Sequence, residues 1–434
     1  MQKKEPSRYR DVDAELEGVG GGGIRAFLFR RRTFSSFKNP VYLLYYGALL
    51  GQMGAMNMQL VARSLLIWRL THSAAILGGI SLAHALPLLC LSLFGGDIAD
   101  RVQKKYVMLI GQACSAVTAL GVALALTFGY LSPEISGSWW ILVVASLVQG
   151  TIMALMMPSR QAILPEIVGE EQLMNAVSLS NLGMNFLRLV TPAAAGFLID
   201  AYDFKAVYFT MTGLYLMAVV FIIFLPLTST MTVRAGSALT GIKEGLKYVR
   251  QETTILLVLA LTLVAVVLSM PYMLLMPIFT DEILKVGATG MGVLMSVSGI
   301  GAIIASLTLA SLPNKKRGLM LLASCLILSL ALVAFSFSSS WYLSLGLIIF
   351  VGMGMTGRMT LANTLIQYYV QDEYRGRVMS IYMMEFGLMS FGAFAAGVLA
   401  ESFGVQFVVG GFAMLLVVLI LLAFAFIPRI RKLD

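Results

Sequence analysis

Within the long apolar stretches of this 434-residue chain, the few polar residues fall at helical spacing. A helix turns about 100° per residue. Gln52, Gln59 and Arg63 therefore share one face, while Asn57 points elsewhere. Ser178, Asn181, Asn185, Arg188 and Pro192 follow 3-4-3-4 steps, and Thr356, Thr360, Asn363 and Gln367 follow 4-3-4. Lipid offers such groups no hydrogen bonds, so each stripe faces a water-filled cavity or a neighbouring helix. As cavity lining, they recognise a solute by non-covalent contacts. As interhelical glue, single Asn and Gln residues need no ligand at all. Arg63, Arg188 and Arg358 are cations inside apolar runs, and Glu385 is the one carboxylate well inside such a run. Two roles stay open for Glu385: carrying a coupling proton, or forming half of a structural ion pair. His84 is a further group able to titrate near neutral pH.

Covalent chemistry finds no such footing. With only His72 and His84, the chain has no Ser–His, paired-Asp or metal-ligand constellation, and no G-x-x-x-x-G-K-[ST] loop. Cys90, Cys114 and Cys325 lie in apolar segments without CxxC or Cys/His spacing and read as small core residues. No metal, cofactor or enzymatic activity is expected.

The elements that must hold these stripes are transmembrane helices. The chain is 59% hydrophobic and 12% charged, with a mean hydropathy of +0.86, against about a quarter charged in soluble domains. A span needs about 20 apolar residues; that rule predicts twelve between 41 and 428, the fourth over 139–158 and the fifth over 173–200. They must be helical, because lipid tolerates no unpaired backbone. Of the 31 Lys and Arg residues, 25 fall on the side shared by both termini, three on the opposite side and three within spans. That asymmetry places both termini in the cytoplasm. Basic residues scattered between spans are topology signals; nucleic-acid binding is not expected.

The expected organisation is a basic cytoplasmic tail over 1–40, a six-helix bundle over 41–226, a linker with an amphipathic helix over 227–253, a second six-helix bundle over 254–428 and a tail over 429–434. Gly20–Gly23 and Arg30–Arg32 make the first tail flexible and then basic, suited to anionic headgroups. Gly196-Phe-Leu-Ile-Asp and Gly397-Val-Leu-Ala-Glu, ending the fifth and eleventh spans, support duplication of one half. Pro271 and Pro277, flanking Tyr272, predict a broken seventh span.

The loop after the second span reads Gly95-Gly96-Asp97-Ile98-Ala99-Asp100-Arg101-Val102-Gln103-Lys104-Lys105. This resembles the G-x-L-A-D-R-x-G-R-K signature of the major facilitator superfamily. Leu60-Val-Ala-Arg63, Pro158-Ser-Arg160-Gln-Ala-Ile-Leu-Pro165-Glu and Asp372-Glu-Tyr-Arg375-Gly-Arg377 are similar to its transmembrane secretion effector branch, which includes enterobactin-type exporters. The resemblance implies an all-α integral membrane fold, with twelve transmembrane helices in two six-helix bundles around a central cavity. It also implies a gating latch made of Gly96, Asp97, Asp100, Arg101, Lys104 and Lys105. Spans 1, 4, 7 and 10 would line the cavity; spans 2, 5, 8 and 11 would join the halves. The chain departs from the family at Ser146, where the fourth span's R-x-x-Q-G motif carries arginine, and in the reduced Thr191-Pro192-Ala-Ala-Ala-Gly196 segment.

The resulting expectation is a secondary active transporter of the cell (plasma or inner) membrane. It exports a small amphipathic organic molecule, drug- or siderophore-like, by proton antiport with alternating access, and works as a monomer in the lipid bilayer. Gln52, Gln59, Arg63, Asn181, Asn185, Arg188, Asn363 and Gln367 are its candidate cavity residues, and Glu385 its candidate proton carrier. The alternatives are an importer or uncoupled facilitator and, from another class, a non-transporting membrane receptor.

Overall fold

The computed structural model describes residues 34–227, 238–313 and 315–433; side chains of 92–101, 170 and 238–243 are not described. The basic tail up to residue 33 therefore lies outside the described residues. All regular secondary structure among the described residues is helical. The long helices are α1 (Pro40–Thr71), α2 (Ala74–Arg101), α3 (Lys104–Thr127), α4 (Trp140–Gly169), α5 (Glu171–Tyr202) and α6 (Phe204–Ile223). They are followed by the linker helix α7 (Ala238–Gln251), then α8 (Thr253–Ser269), α9 (Gly287–Ser311), α10 (Arg317–Ser336), α11 (Trp341–Tyr369), α12 (Arg375–Phe403) and α13 (Val405–Phe426).

Among the described residues, eleven helices are long and apolar enough to cross a membrane: α2 to α6 and α8 to α13, with α8 counted through Leu274. The exception is α1, where Gln52, Asn57, Gln59 and Arg63 dilute the apolar run. Its 32 residues nonetheless extend about 48 Å at 1.5 Å per residue, enough for the core of a bilayer. Asn39 starts it by accepting from the backbone N–H groups of Val41 and Tyr42, and Pro40 occupies the first helical position.

One boundary differs from expectation. The fourth span runs past Pro158 and Pro165 to Gly169, so Arg160 lies within a helix and not in a loop. The break falls at Gly169 because its φ of 69° is a conformation that glycine adopts freely. The seventh span breaks where predicted: after α8 come two short turns, Pro271–Leu274 and Met276–Ile278, then a wider turn over Phe279–Ile283. Of the cysteines, Cys325 is buried, but Cys90 and Cys114 are exposed. Composition cannot separate these environments, because lipid is as apolar as a core.

Helices α5 and α9 join the two halves along one seam, α2 and α12 along another. Glycines set their approach: a Cβ on Gly196 would stand 2.2 Å from the Ala288 carbonyl oxygen, and one on Gly292 2.2 Å from that of Pro192. In the other seam, a Cβ on Gly397 would stand 2.3 Å from the Ala74 oxygen. The buried cores follow the same division. At the end opposite the termini, one core draws on both halves, with Leu65 and Tyr215 alongside Phe279 and Met291. Toward the termini the core splits in two, one around Tyr42, Met108 and Ile163, the other around Val258, Leu361 and Tyr382. Among the described residues, the core is closed across the halves at one end and parted at the other. Helix α7 sits on the second half, where the Tyr248 ring stacks on Tyr374 at 4.3 Å and Glu244 meets Arg377 at 3.0 Å.

Candidate functional site

A pocket of about 440 Å³ lies between the halves, where α1, α5, the broken end of α8, α9 and α11 converge. Arg188 enters it from α5, Asn57 from α1 and Ser298 from α9. Because the helix is interrupted at Pro271 and Pro277, Tyr272, Met273 and Met276 all reach the same space. Arg188 directs Nη2 toward the Met355 sulfur at 4.0 Å, and no ion pair to it is found among the described residues. The helical stripe on α5 thus brings Arg188 and Pro192 into the pocket. Asn181 and Asn185, further toward the parted end, are exposed and outside it. On α11, Gln367 Nε2 donates to Asn363 Oδ1; Gln367 is exposed, Asn363 half-buried, and neither lines the pocket.

Gln59 and Arg63 do share a face, but it looks into the N-terminal half. They line a second pocket of about 300 Å³ together with Ser115, Ser146, Gln149, Tyr208 and Tyr215. Tyr215 donates its hydroxyl hydrogen to Gln59 Oε1 at 3.3 Å. The Ser146 hydroxyl is buried there without a hydrogen-bond partner. Ser146 stands where the resemblance implies arginine, so in this chain α1 supplies the guanidinium that α4 lacks. Gln52, on the same face of α1, is buried, with Nε2 directed at the Met156 sulfur 3.9 Å away; Gln112 approaches that sulfur at 3.5 Å. Asn57 and Ser298 are polar lining residues that sequence reasoning missed. The offset of Asn57 from the other three was legible, but nothing indicated which face of α1 the partner half would cover.

Glu385 is buried inside the C-terminal half. Its Oε2 lies 3.9 Å from Arg358 Nη1, and its Oε1 accepts from the Thr262 hydroxyl at 2.5 Å. The pair therefore links α8, α11 and α12. Arg358 Nε and Nη1 have no hydrogen-bond partner.

The gating loop is described only in part. Gly96, Asp97, Asp100 and Arg101 belong to α2, whose backbone is helical there, but their side chains lie outside the described residues. Lys104 pairs with Glu166 at 2.5 Å, and Lys105 donates to the carbonyls of Ile223 and Leu225 at 2.7 and 2.6 Å. Both lysines thus tie helices within one half.

At the closed end the halves are fastened by groups not singled out in the sequence. Arg69 holds Asp281 through two hydrogen bonds, 3.0 and 3.3 Å. Asp200, ending α5, accepts from Thr289 N at 2.7 Å and Ala288 N at 3.4 Å at the start of α9. Glu401, near the end of α12, accepts from Ala75 N at 3.2 Å and from the Ser73 hydroxyl at the start of α2. The two carboxylates thus cap equivalent helices across equivalent seams, each meeting unsatisfied N–H groups at the positive end of a helix. Their sequence signal was the pair of Gly-x-x-x-acid segments, which had been read only as a trace of duplication.

The model of the transmembrane secretion effector family matches residues 31–434. Among curated proteins, the staphyloferrin A transporter of Staphylococcus aureus is 25% identical over 92% of this chain and 97% of its own. The multidrug efflux pump Tap of Mycolicibacterium fortuitum is also 25% identical, over 92% and 98%. Macrolide efflux protein A of Streptococcus pyogenes is 23% identical, over 90% and 98%. Among solved structures, the nucleoside transporter NupG superposes with a TM-score of 0.70 at 14% identity over 89% of this chain and 98% of its own. A D-xylose–proton symporter does so with 0.70 at 13% identity, over 91% and 99%.

Proposed function

The chain belongs to the transmembrane secretion effector family of major facilitator transporters, a multi-pass membrane transporter and not an enzyme, and from that premise we propose that it exports a small amphipathic organic molecule from the cytoplasm by proton antiport. It works as a monomer in the plasma membrane, with both termini and the parted end on the cytoplasmic side, and α1 is its twelfth span. One observation carries this reading: the pocket between the halves sits above a split core at the end bearing the termini and below a fastened core at the other. In this reading the split core gives a solute on the side of the termini access to the pocket. Relatives include multidrug and macrolide efflux pumps and a siderophore transporter. The neutral amides Asn181, Asn185, Asn363 and Gln367 line the approach in this reading. Glu385 carries the proton, exchanging between Arg358 and a protonated form held by Thr262.

A second reading, an uncoupled facilitator, draws support from the existing contact between Glu385 and Arg358, which gives the carboxylate a purely structural use. Inside-out vesicles acidified by respiration and loaded with a pH-sensitive dye separate the two. Macrolides, lipophilic drugs and staphyloferrin A are added to vesicles with wild type and with Glu385→Gln. Collapse of the gradient by a solute in wild type, but not in the variant, is the expected result. Flux of labelled solute without any proton movement overturns antiport in favour of the facilitator.

A further inference from the structure

Resting on the transport reading above, we propose that the pocket between the halves selects amphipathic organic anions, and that Arg188 receives the anionic group. The charge balance inside the spans carries this. Of the three intramembrane arginines, Arg358 has Glu385 as its partner, and Arg63 lies outside this pocket, in the N-terminal half with Tyr208 and Tyr215. Arg188 has no carboxylate: no Asp or Glu lines the pocket, and its guanidinium faces the thioether of Met355. A guanidinium does not shed its proton to escape this situation. At bilayer depth it is costly unless something negative comes to it, and the described residues supply nothing negative there. The solute is then the counter-ion. A cationic solute would meet a like charge in a space with no acid to offset it.

The rest of the lining specifies the remainder of the molecule. Asn57, Tyr272 and Ser298 are neutral hydrogen-bonding groups near the cation, suited to a second polar function. Met273, Met276 and Met295 supply polarisable, conformationally adaptable walls for an apolar or aromatic body. The planar fork of arginine matches a carboxylate through two parallel hydrogen bonds, so a carboxylate on an apolar frame is the best fit.

The test uses the purified full-length chain in detergent and three probes of one shape: 2-naphthoate, 2-naphthamide and 2-naphthylmethylammonium. Affinities are measured by calorimetry for wild type, Arg188→Gln and Arg188→Lys, with thermal melts checking that each is folded. Wild type is expected to bind naphthoate at least ~10-fold more tightly than the amide, with the cation weakest. Arg188→Gln brings naphthoate and amide together, while Arg188→Lys keeps part of the preference. Equal binding of the three probes by wild type, a preference for the cation, no naphthoate binding at millimolar concentration, or a preference that survives Arg188→Gln each overturns the proposal. The wild-type series decides alone if Arg188→Gln does not fold. If naphthoate binds with the stated preference but no solute crosses vesicles, the transport reading fails and the anion preference stands. If neutral or cationic solutes cross while naphthoate neither binds nor crosses, the reverse holds.

Discussion

Glu385 and Arg358 are both almost fully buried, and each is the other's only opposite charge in the ion pairs of the described residues. Removing one member of a buried pair leaves an uncompensated charge, a loss of about 3–5 kcal/mol, whereas replacing both with neutral groups is often nearly neutral. Arg358→Met is therefore expected to lower the melting temperature in detergent sharply, and Arg358→Met with Glu385→Gln to recover most of the loss. Additive losses in the double variant would show that the two side chains do not stabilise each other. Glu385→Gln alone leaves the buried Arg358 guanidinium, which cannot shed its proton, without a counter-ion, and should lose at least as much stability as Arg358→Met. At this scale the sequence was informative about which residues share a helical face and silent about where that face points. Gln59 and Arg63 do lie together, as their four-residue spacing requires, yet they open into the N-terminal half. Periodicity sets angles within one helix; the azimuth of that helix in the bundle comes from packing against five others.

Between elements, the seams are made by glycine contacts along their length and by capping carboxylates at one end. A valine at Gly292 would force α5 and α9 apart, because a Cβ there stands 2.2 Å from a backbone oxygen that cannot swing away. Gly292→Val should therefore lower thermal stability by several degrees. Gly79→Ala, with nothing within 4 Å of its Cβ, should be neutral or gain up to ~1 kcal/mol from helix propensity. Equal behaviour of the two variants would show that close approach does not set the seam. The carboxylates add a second test. Asp200→Ala and Glu401→Ala each remove a cap worth about 1 kcal/mol, and the sites are on separate seams, so their effects should add. Spin labels at the exposed Tyr202 and Tyr342 should report a longer-distance population at the closed end, growing from single to double variant. An unchanged distance distribution in the double variant would mean the caps do not hold that end shut. Helix existence was readable from hydropathy along most of the chain, and the break around Pro271 and Pro277 from proline itself. The stop at Gly169 was not: Pro158 and Pro165 are ordinarily the stronger breakers, but here each fits within a continuing helix, and the chain reverses where glycine supplies the left-handed φ.

For the whole molecule, the side of the membrane that the parted end faces rests on charge. Twenty-five Lys and Arg residues lie on the side of the termini against three on the other. Basic side chains are retained on the cytoplasmic face during insertion, and this bias is too large for a dual-topology protein, in which the two sides would be nearly balanced. The proposed twelve spans agree, since an even number of crossings returns the chain to its starting side. That number depends on α1, the least apolar of the long helices. Single cysteines in a background with Cys90, Cys114 and Cys325 replaced decide the matter. Glu134→Cys lies in the segment between α3 and α4, on the closed side, and Asp372→Cys in the segment between α11 and α12, on the side of the termini. A membrane-impermeant maleimide added to intact cells is expected to label position 134 and not 372, and to do the opposite in inside-out vesicles. Labelling of both positions from one side would mean that α1 or another helix fails to cross. Labelling of 372 alone in intact cells would put the parted end outside, turning the pocket with Arg188 toward the exterior and overturning the orientation proposed above.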